Sequence, residues 1–262
     1  MKLKYLLPLL PALAVASCTS LPRPVATAPA APQADALKLL TESSAAAGDP
    51  YQRFSRVEVD YDGEWSNFAT KTQAILTDPE FRKSSSEIYF PKNARITQTH
   101  RGPGGEKRVT RTRGGIEVVR NGEIVTDEEE LQAAALVTDC YRVFTFGSSA
   151  LLELGSGWTM IGQRSLNGER CTLIAGSMRP GFGLSEGDGV IAWIGDETKR
   201  LQRVQMSLLG LASTAGADID VTFGDFQPGP QGTLWPRYFN ERIRRPIDTQ
   251  AHEWRMTSLD IR

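Results

Sequence analysis

Apolar and polar residues alternate along most of this 262-residue chain. In the run 57–62, Val57, Val59 and Tyr61 alternate with acidic residues, and the run 219–224 repeats the scheme. Successive side chains of a β-strand point to opposite faces of the sheet, so this pattern predicts strands with one buried face and one face in water. Such strands are typical of antiparallel sheets.

Turn signals separate the alternating runs. Asn121-Gly122 stands between two β-prone runs and predicts a type I′ hairpin, because that turn requires positive φ at both positions. Alternating runs recur over 86–125 and 158–261, and together they predict about ten to eleven strands. The sequence therefore predicts a long antiparallel meander.

Two segments follow helical spacing instead. Residues 36–47 repeat small apolar side chains every three or four positions, and Gly48 ends that run. Thr126 and Glu129 fit a capping box at the start of a second helix. A sheet this wide tends to curl, so we expect a mainly β (α+β) fold, either an open antiparallel half-barrel or a sandwich, with two or three helices over the concave face.

The first 34 residues lack this patterning. Residues 1–17 have a basic start followed by an apolar stretch well short of the ~20 residues that cross a bilayer, which predicts a signal peptide. Residues 15–18, Val-Ala-Ser-Cys, resemble the lipobox of bacterial lipoproteins. That resemblance implies cleavage before Cys18 and a lipid on its thiol; the alternative is an ordinary signal peptide with a chance cysteine.

The resemblance also implies a location. Position 19 is Thr rather than the aspartate associated with inner-membrane retention, so we expect a lipid-anchored protein of the bacterial outer membrane with its domain facing the periplasm. Residues 18–34 are rich in Pro and Ala and predict an extended tether that holds the domain away from the lipid. No second linker or repeat divides residues 35–262, which predicts one domain.

The chemistry-bearing residues are few. The chain has 30 basic and 31 acidic residues, which argues against nucleic acid as a partner. Its two histidines, His100 and His252, stand outside any metal-ligand or nucleophile motif, so we expect no cofactor, no metal site and no enzymatic activity. Cys140 and Cys171 can either form a disulfide in an oxidising compartment or remain buried thiols.

Two later segments carry a family resemblance. Residues 193–204 read WIGDETKRLQRV, and residues 219–226 read IDVTFGDF. With the helix and strand of 35–65 before them, they resemble the periplasmic carrier fold of the outer-membrane lipoprotein-sorting proteins LolA and LolB and the mycobacterial LppX. The resemblance implies an eleven-stranded half-barrel whose helices leave an apolar cavity for acyl chains.

The resemblance and the broad apolar face lead to one functional expectation. We expect a membrane-tethered protein that binds or transfers lipid or lipoprotein acyl chains. The alternative is a non-catalytic interaction module of the cell envelope, with a sealed core and a protein partner; an enzyme using His100 or His252 ranks third. Strand alternation points to eight residues as the cavity lining, and packing in the core is the equally open alternative for each. They are Val57, Val59, Tyr61, Val204, Met206, Ile219, Val221 and Phe223.

Overall fold

A single antiparallel sheet dominates the computed structural model, which describes residues 21–26, 31–214 and 216–262. The predicted signal peptide, residues 1–17, and the predicted lipidation site Cys18 lie outside the described residues. The strands are β1 (Val57–Trp65), β2 (Ser84–Phe90), β3 (Arg95–Gly102), β4 (Gly105–Thr112), β5 (Gly115–Arg120), β6 (Glu123–Ile124), β7 (Gly155–Leu166), β8 (Glu169–Met178), β9 (Asp188–Gly195), β10 (Leu201–Ser207), β11 (Asp218–Pro228), β12 (Leu234–Arg245) and β13 (Thr249–Ile261).

The strand order is β6-β5-β4-β3-β2-β1-β13-β12-β11-β10-β9-β8-β7, so the sheet is open with β6 and β7 at its edges. Nearly all neighbours are consecutive hairpins, and the exception is β13, which pairs with β1 in the middle. The mainly β, open antiparallel architecture predicted from the alternation is confirmed. The helices are α1 (Ala34–Ala47), α2 (Pro50–Arg53), α3 (Asn67–Thr72), α4 (Ala74–Thr77), α5 (Glu128–Phe146) and α6 (Ser148–Leu154).

The strand count is thirteen in the described residues, so the predicted ten to eleven is wrong. The run 116–125 does not form one strand, because Asn121 and Gly122 have φ of 50° and 89° and fold it into β5 and β6. That hairpin is the one expected from the Asn-Gly signal. However, β6 is only two residues long, too short to carry any alternation.

The helix count is six in the described part of the chain, where the patterning predicts two or three. The additional helices α2, α3, α4 and α6 have four to seven residues, fewer than two turns, so they show no periodicity. α1 ends at Gly48 as expected, with φ of 83°. α5 begins one residue later than the predicted capping box, since Asp127 rather than Thr126 caps it by accepting from the backbone N–H of Glu130 at 2.9 Å.

The largest apolar cluster lies between the helices and one face of the sheet, called here the inner face. α5 is central to it, with Tyr141, Val143 and Phe144 buried among strand residues. Edge-to-face contacts such as Tyr61 with Tyr141, whose ring centroids are 5.9 Å apart, join the helix to β1. No helix in the described ranges is long and apolar enough to cross a bilayer.

The two cysteines belong to different clusters. Cys140 lies on α5 in the inner cluster, whereas Cys171 lies on β8 and packs with Leu173, Ile191 and Trp193 on the outer face. Both are free, buried thiols, so of the two alternatives that the sequence leaves open this structure has the buried thiols and not the disulfide. The reason is the position of the sheet between them. Burial raises the pKa of both thiols, that of Cys171 to about 11.

The Pro- and Ala-rich linker is bound to the domain where the structure describes it. Leu21 packs against the outer cluster, and its carbonyl accepts from Arg245 Nη2 at 2.8 Å. Further on, Gln33 donates its backbone N–H to the carbonyl of Trp158 at 2.9 Å. These described residues are extended, as the sequence predicts, and they lie along the domain, held by apolar contacts and hydrogen bonds.

Candidate functional site

A cavity of about 460 Å³ lies between α5, the α3–α4 segment and the adjoining ends of β11, β12 and β13. Its walls are mainly apolar and include Leu76, Val137 and Phe144. It opens beside Phe68 and Ile247, which are 37% and 53% exposed. Its volume and lining are those of cavities that accept small apolar ligands.

Local hydrogen bonds hold the α3–α4 wall in place. Ser66 caps α3 by accepting from the backbone N–H of Ala69 at 3.2 Å, and its own N–H donates to the carbonyl of Ala251 on β13 at 2.9 Å. On the far side, Gln73 Nε2 donates to the carbonyl of Ser213 at 3.0 Å. Gln73 and Ser213 both line the cavity, so this bond joins its two walls.

Arg82 places a cation in the apolar lining. Its side chain is 8% exposed and donates from Nη1 to the carbonyl of Leu76. The guanidinium carbon lies 5.0 Å from the ring centroid of Trp65 and 5.5 Å from that of Tyr141, within cation–π range of both. No carboxylate of the described chain lies within 4 Å of Arg82, so the two rings and the Leu76 carbonyl are what compensate its burial.

Glu241 on β12 lines the same cavity and is half-buried. Burial raises the pKa of its carboxyl to about 7; the positive charge of Arg82 lowers the pKa only in part, and Asp220 raises it further. This carboxyl therefore exchanges its proton at a pH much closer to neutrality than an ordinary glutamate does. The cavity thus combines apolar walls with one cation and one acid that changes charge near pH 7.

Four stacked rings form the support beneath these polar groups. Trp65 and His252 stack with centroids 3.8 Å apart, His252 and Trp254 with centroids 4.6 Å apart, and Trp254 and Phe239 with centroids 5.0 Å apart. Gly63 makes the stack possible, because a Cβ there would come within 2.5 Å of Trp254 Cβ. The stack holds Trp65, the ring of β1 that faces Arg82, against rings of β12 and β13.

The histidines are packing groups in this structure. Burial, followed by the charge of Arg82, holds the pKa of His252 well below its usual range, so its ring is neutral at pH 7. The pKa of His100 is also well below its usual range, because burial and the charges of Arg82 and Lys107 all lower it. Across the described segments, no cluster of three or more His, Cys, Asp or Glu side chains could hold a metal ion.

A second cavity, of about 620 Å³, lies on another side of α5 and has a charged lining. Asp139 on α5 accepts from Arg111 Nη2 at 3.0 Å and from the backbone N–H of Gly183 at 3.0 Å. Arg142, one turn later, also pairs with Asp139 at 3.4 Å. This lining suits polar groups, so the 460 Å³ cavity is the candidate for apolar ligands.

The residues predicted from alternation all lie on the inner face, buried in the main cluster. Ile219 lines the 460 Å³ cavity, whereas Phe223 and Tyr61 line small cavities of about 40 and 20 Å³. The remaining five line none of these cavities and pack under the helices: Val57, Val59, Val204, Met206 and Val221.

Sequence reasoning missed the helical side of the cavity. Leu136, Val137, Cys140, Tyr141 and Phe144 line it from α5. These positions follow the i, i+1, i+4, i+5, i+8 spacing of one helix face, a signal that is present in the sequence. The α3–α4 residues gave no such signal, because those helices are too short.

Comparison with known proteins identifies the fold. No family model matches the sequence, and no curated protein matches it. The LolA superfamily protein NE2245 from Nitrosomonas europaea matches with a TM-score of 0.50 at 9% identity, over 87% of this chain and 93% of that chain. The lipoprotein LppX from Mycobacterium tuberculosis matches with a TM-score of 0.28 at 14% identity, over 65% of this chain and 88% of that chain.

At 9% identity, the match to the LolA superfamily protein shows the fold alone. The fold is the one that the segments 193–204 and 219–226 predict by resemblance. The resemblance is therefore confirmed at the level of architecture.

Proposed function

We propose that this protein binds the acyl chains of a lipid or of an acylated lipoprotein in the 460 Å³ cavity. The observation that carries this proposal is the mainly apolar lining of that cavity beneath α5. Removing a hydrocarbon chain from water contributes about 0.8 kcal/mol for each buried CH₂ group, so such a lining is sufficient to drive binding. The shared fold with a LolA superfamily protein supports the same conclusion.

The two polar groups of the lining suit the head of such a ligand. Arg82 has guanidinium donors and no ion pair in the described chain, so it can donate to an ester carbonyl or a carboxylate. Glu241, with a pKa raised to about 7 by burial, can donate when protonated and accept when ionised. An acyl chain along the apolar walls with its carbonyl near Arg82 satisfies both parts of the site.

The anchor completes the proposal. Cys18 follows a signal-like segment, and we propose that it carries the lipid and that this anchor holds the domain at the periplasmic side of the bacterial outer membrane. The competing role, a non-catalytic assembly module, predicts a sealed core. An apolar cavity that opens beside Phe68 and Ile247 favours ligand binding over that alternative.

The test uses a form that begins at Thr19 and is secreted through a conventional cleavable signal, so that no attached lipid confuses the result. Mass spectrometry of its organic extract should find acyl lipid at close to one molecule per protein. An environment-sensitive apolar dye should bind, and Val137→Phe should weaken dye binding at least tenfold by filling the cavity. Ile124→Phe, at a position 70% exposed, is the matched control and should leave dye binding unchanged. Absence of lipid and of dye binding would refute the proposal.

A further inference from the structure

The described start of the linker is fixed to the sheet at three successive residues. Arg245 Nη2 donates to the carbonyl of Leu21 at 2.8 Å, and Gln205 Nε2 donates to the carbonyl of Pro22 at 3.3 Å. Gln205 is itself held by Trp193 Nε1, which donates to its Oε1 at 2.8 Å. The Gln205 amide is therefore held from both sides, by Trp193 and by the linker.

The third contact joins the linker to the cavity. Arg23 Nη2 donates to the carbonyl of Gly216 at 3.1 Å, and Gly216 lines the 460 Å³ cavity. Arg245, which holds Leu21, directly precedes Pro246 and Ile247 of the same cavity. The described linker thus starts on the outer face, near the end of the sheet where the cavity opens.

We call this end of the sheet the anchor end, formed by the loops 179–187, 208–214 and 246–248. Loop 179–187 joins β8 to β9 at this end, where Met178 pairs with Asp188. Loop 208–214 lies beside it, because Gly210 is packed against the carbonyl of Phe182. Five of the nine exposed large apolar side chains found in the described chain lie here or next to it. They are Val25, Phe68, Leu184, Leu209 and Ile247.

The length of chain before Leu21 sets the distance to the lipid. Three residue steps separate Cys18 from Leu21 in the sequence, and an extended chain covers at most about 3.6 Å per step, so their Cα atoms can be no more than about 11 Å apart. A free linker over 18–34 would instead reach about 50 Å. The contacts at Leu21, Pro22 and Arg23 remove most of that freedom.

We propose that the anchor end is a membrane-docking surface whose partner is the lipid surface itself, so that the cavity opens directly onto the bilayer. Leu209, Ile247 and Leu184 enter the headgroup region. Arg23, which makes no ion pair within 4 Å among the described residues, contacts lipid phosphate. A ligand then passes between bilayer and cavity without crossing water. This inference rests on the proposed lipidation of Cys18.

The test measures which end of the lipidated full-length protein touches the bilayer. Ile247→Cys and Leu209→Cys each receive a fluorescent label, and the protein is placed in phosphatidylethanolamine–phosphatidylglycerol vesicles containing a lipid-borne quencher. Cys140 and Cys171 are buried and escape labelling. The control is Glu197→Cys, an exposed position in the turn at the opposite end of β9 and β10, about 23 Å away along β10.

We expect at least threefold stronger quenching at positions 209 and 247 than at 197. Equal quenching at all three positions would overturn the inference. The absence of quenching at 209 and 247 would also overturn it, and would leave a protein as the partner of this surface. Inserting ten Gly and Ser residues between Ser20 and Leu21 should reduce quenching at 247 at least twofold. Unchanged quenching would show that the short anchor does not position this end.

The mass of the N-terminal peptide separates the two proposals. If the peptide carries no lipid on Cys18, the anchoring part of the proposed function fails. If it carries lipid while positions 209 and 247 stay unquenched, the docking surface fails and the proposed function stands.

Discussion

The guanidinium of Arg82 lies over the ring of Trp65, 5.0 Å from its centroid, in the wall of a mainly apolar cavity. Burying a cation that has no ion pair among the described residues is costly, and a ligand carboxylate beside Arg82 would offset part of that cost. This relationship makes the head of the ligand, and not only its chain, a determinant of affinity.

Arg82→Met should therefore weaken binding of a fatty acid such as oleate more than binding of a neutral apolar dye. A hydrogen bond to a charged group contributes about 1.5–3 kcal/mol, so oleate affinity should fall roughly tenfold to a hundredfold. Titration calorimetry measures the fatty acid, and fluorescence measures the dye. The control is Arg108→Met, whose side chain is 59% exposed. A loss of equal size for both ligands would contradict a role for Arg82 in head recognition.

Glu241 should make stability depend on pH. Burial raises the pKa of its folded-state carboxyl to about 7, above the value of about 4.3 in an unfolded chain, so the folded protein binds the extra proton. The contribution of Glu241 to the free energy of unfolding is fully present below about pH 4. It is lost as the pH rises from about 4.3 to 7. Glu241→Gln should remove this dependence and raise the free energy of unfolding at pH 8 by roughly 1–3 kcal/mol.

Urea denaturation at pH 5 and pH 8 checks this prediction. Glu197→Gln, an exposed substitution of the same kind, should leave the pH dependence of the wild type unchanged. If the free energy of unfolding depends on pH in the same way for Glu241→Gln and the wild type, the pKa of Glu241 is not raised in the cavity.

The long elements were predictable because they extend over several periods of their pattern. Alternation in 57–62 and 219–224 identified β1 and β11 and the face that each buries. Spacing along 36–47 identified α1. Elements of two to seven residues, such as β6 and α4, complete no period, and tertiary contacts determine them instead. The pairing of β13 with β1 is equally non-local and left no sequence signal.

The candidate site was predictable only as far as the correct face of the sheet. Alternation shows which side of a strand is inward, and Val204 and Val221 are indeed buried there. It does not show which part of that face a helix covers, so these residues are core while Ile219 lines the cavity. Arg82 had no signal in the sequence at all, because its role depends on rings from β1 and α5.

Gly63→Ala should destabilise the fold by displacing the ring stack. The added Cβ would lie 2.5 Å from Trp254 Cβ and 2.7 Å from the backbone oxygen of Glu253, contacts that backbone shifts must relieve. Overpacking of this kind costs about 1–3 kcal/mol. Gly114→Ala is the matched control, because the nearest atom there is 3.9 Å away. Urea denaturation measures the free energy of unfolding of both variants. Equal values for Gly63→Ala and Gly114→Ala would show that the ring stack tolerates the added methyl group.

The position of β13 has a consequence for how the molecule is made. β13 is the last strand in sequence, yet it lies in the middle of the sheet and joins β1 to β12. Until it has been synthesised, β1 and β12 both present open edges and the two halves of the sheet have no common strand. Pairings between residues this far apart also form slowly. The two halves can therefore join into one sheet only after residues 249–261 have been made, whereas the local hairpins of each half do not depend on β13.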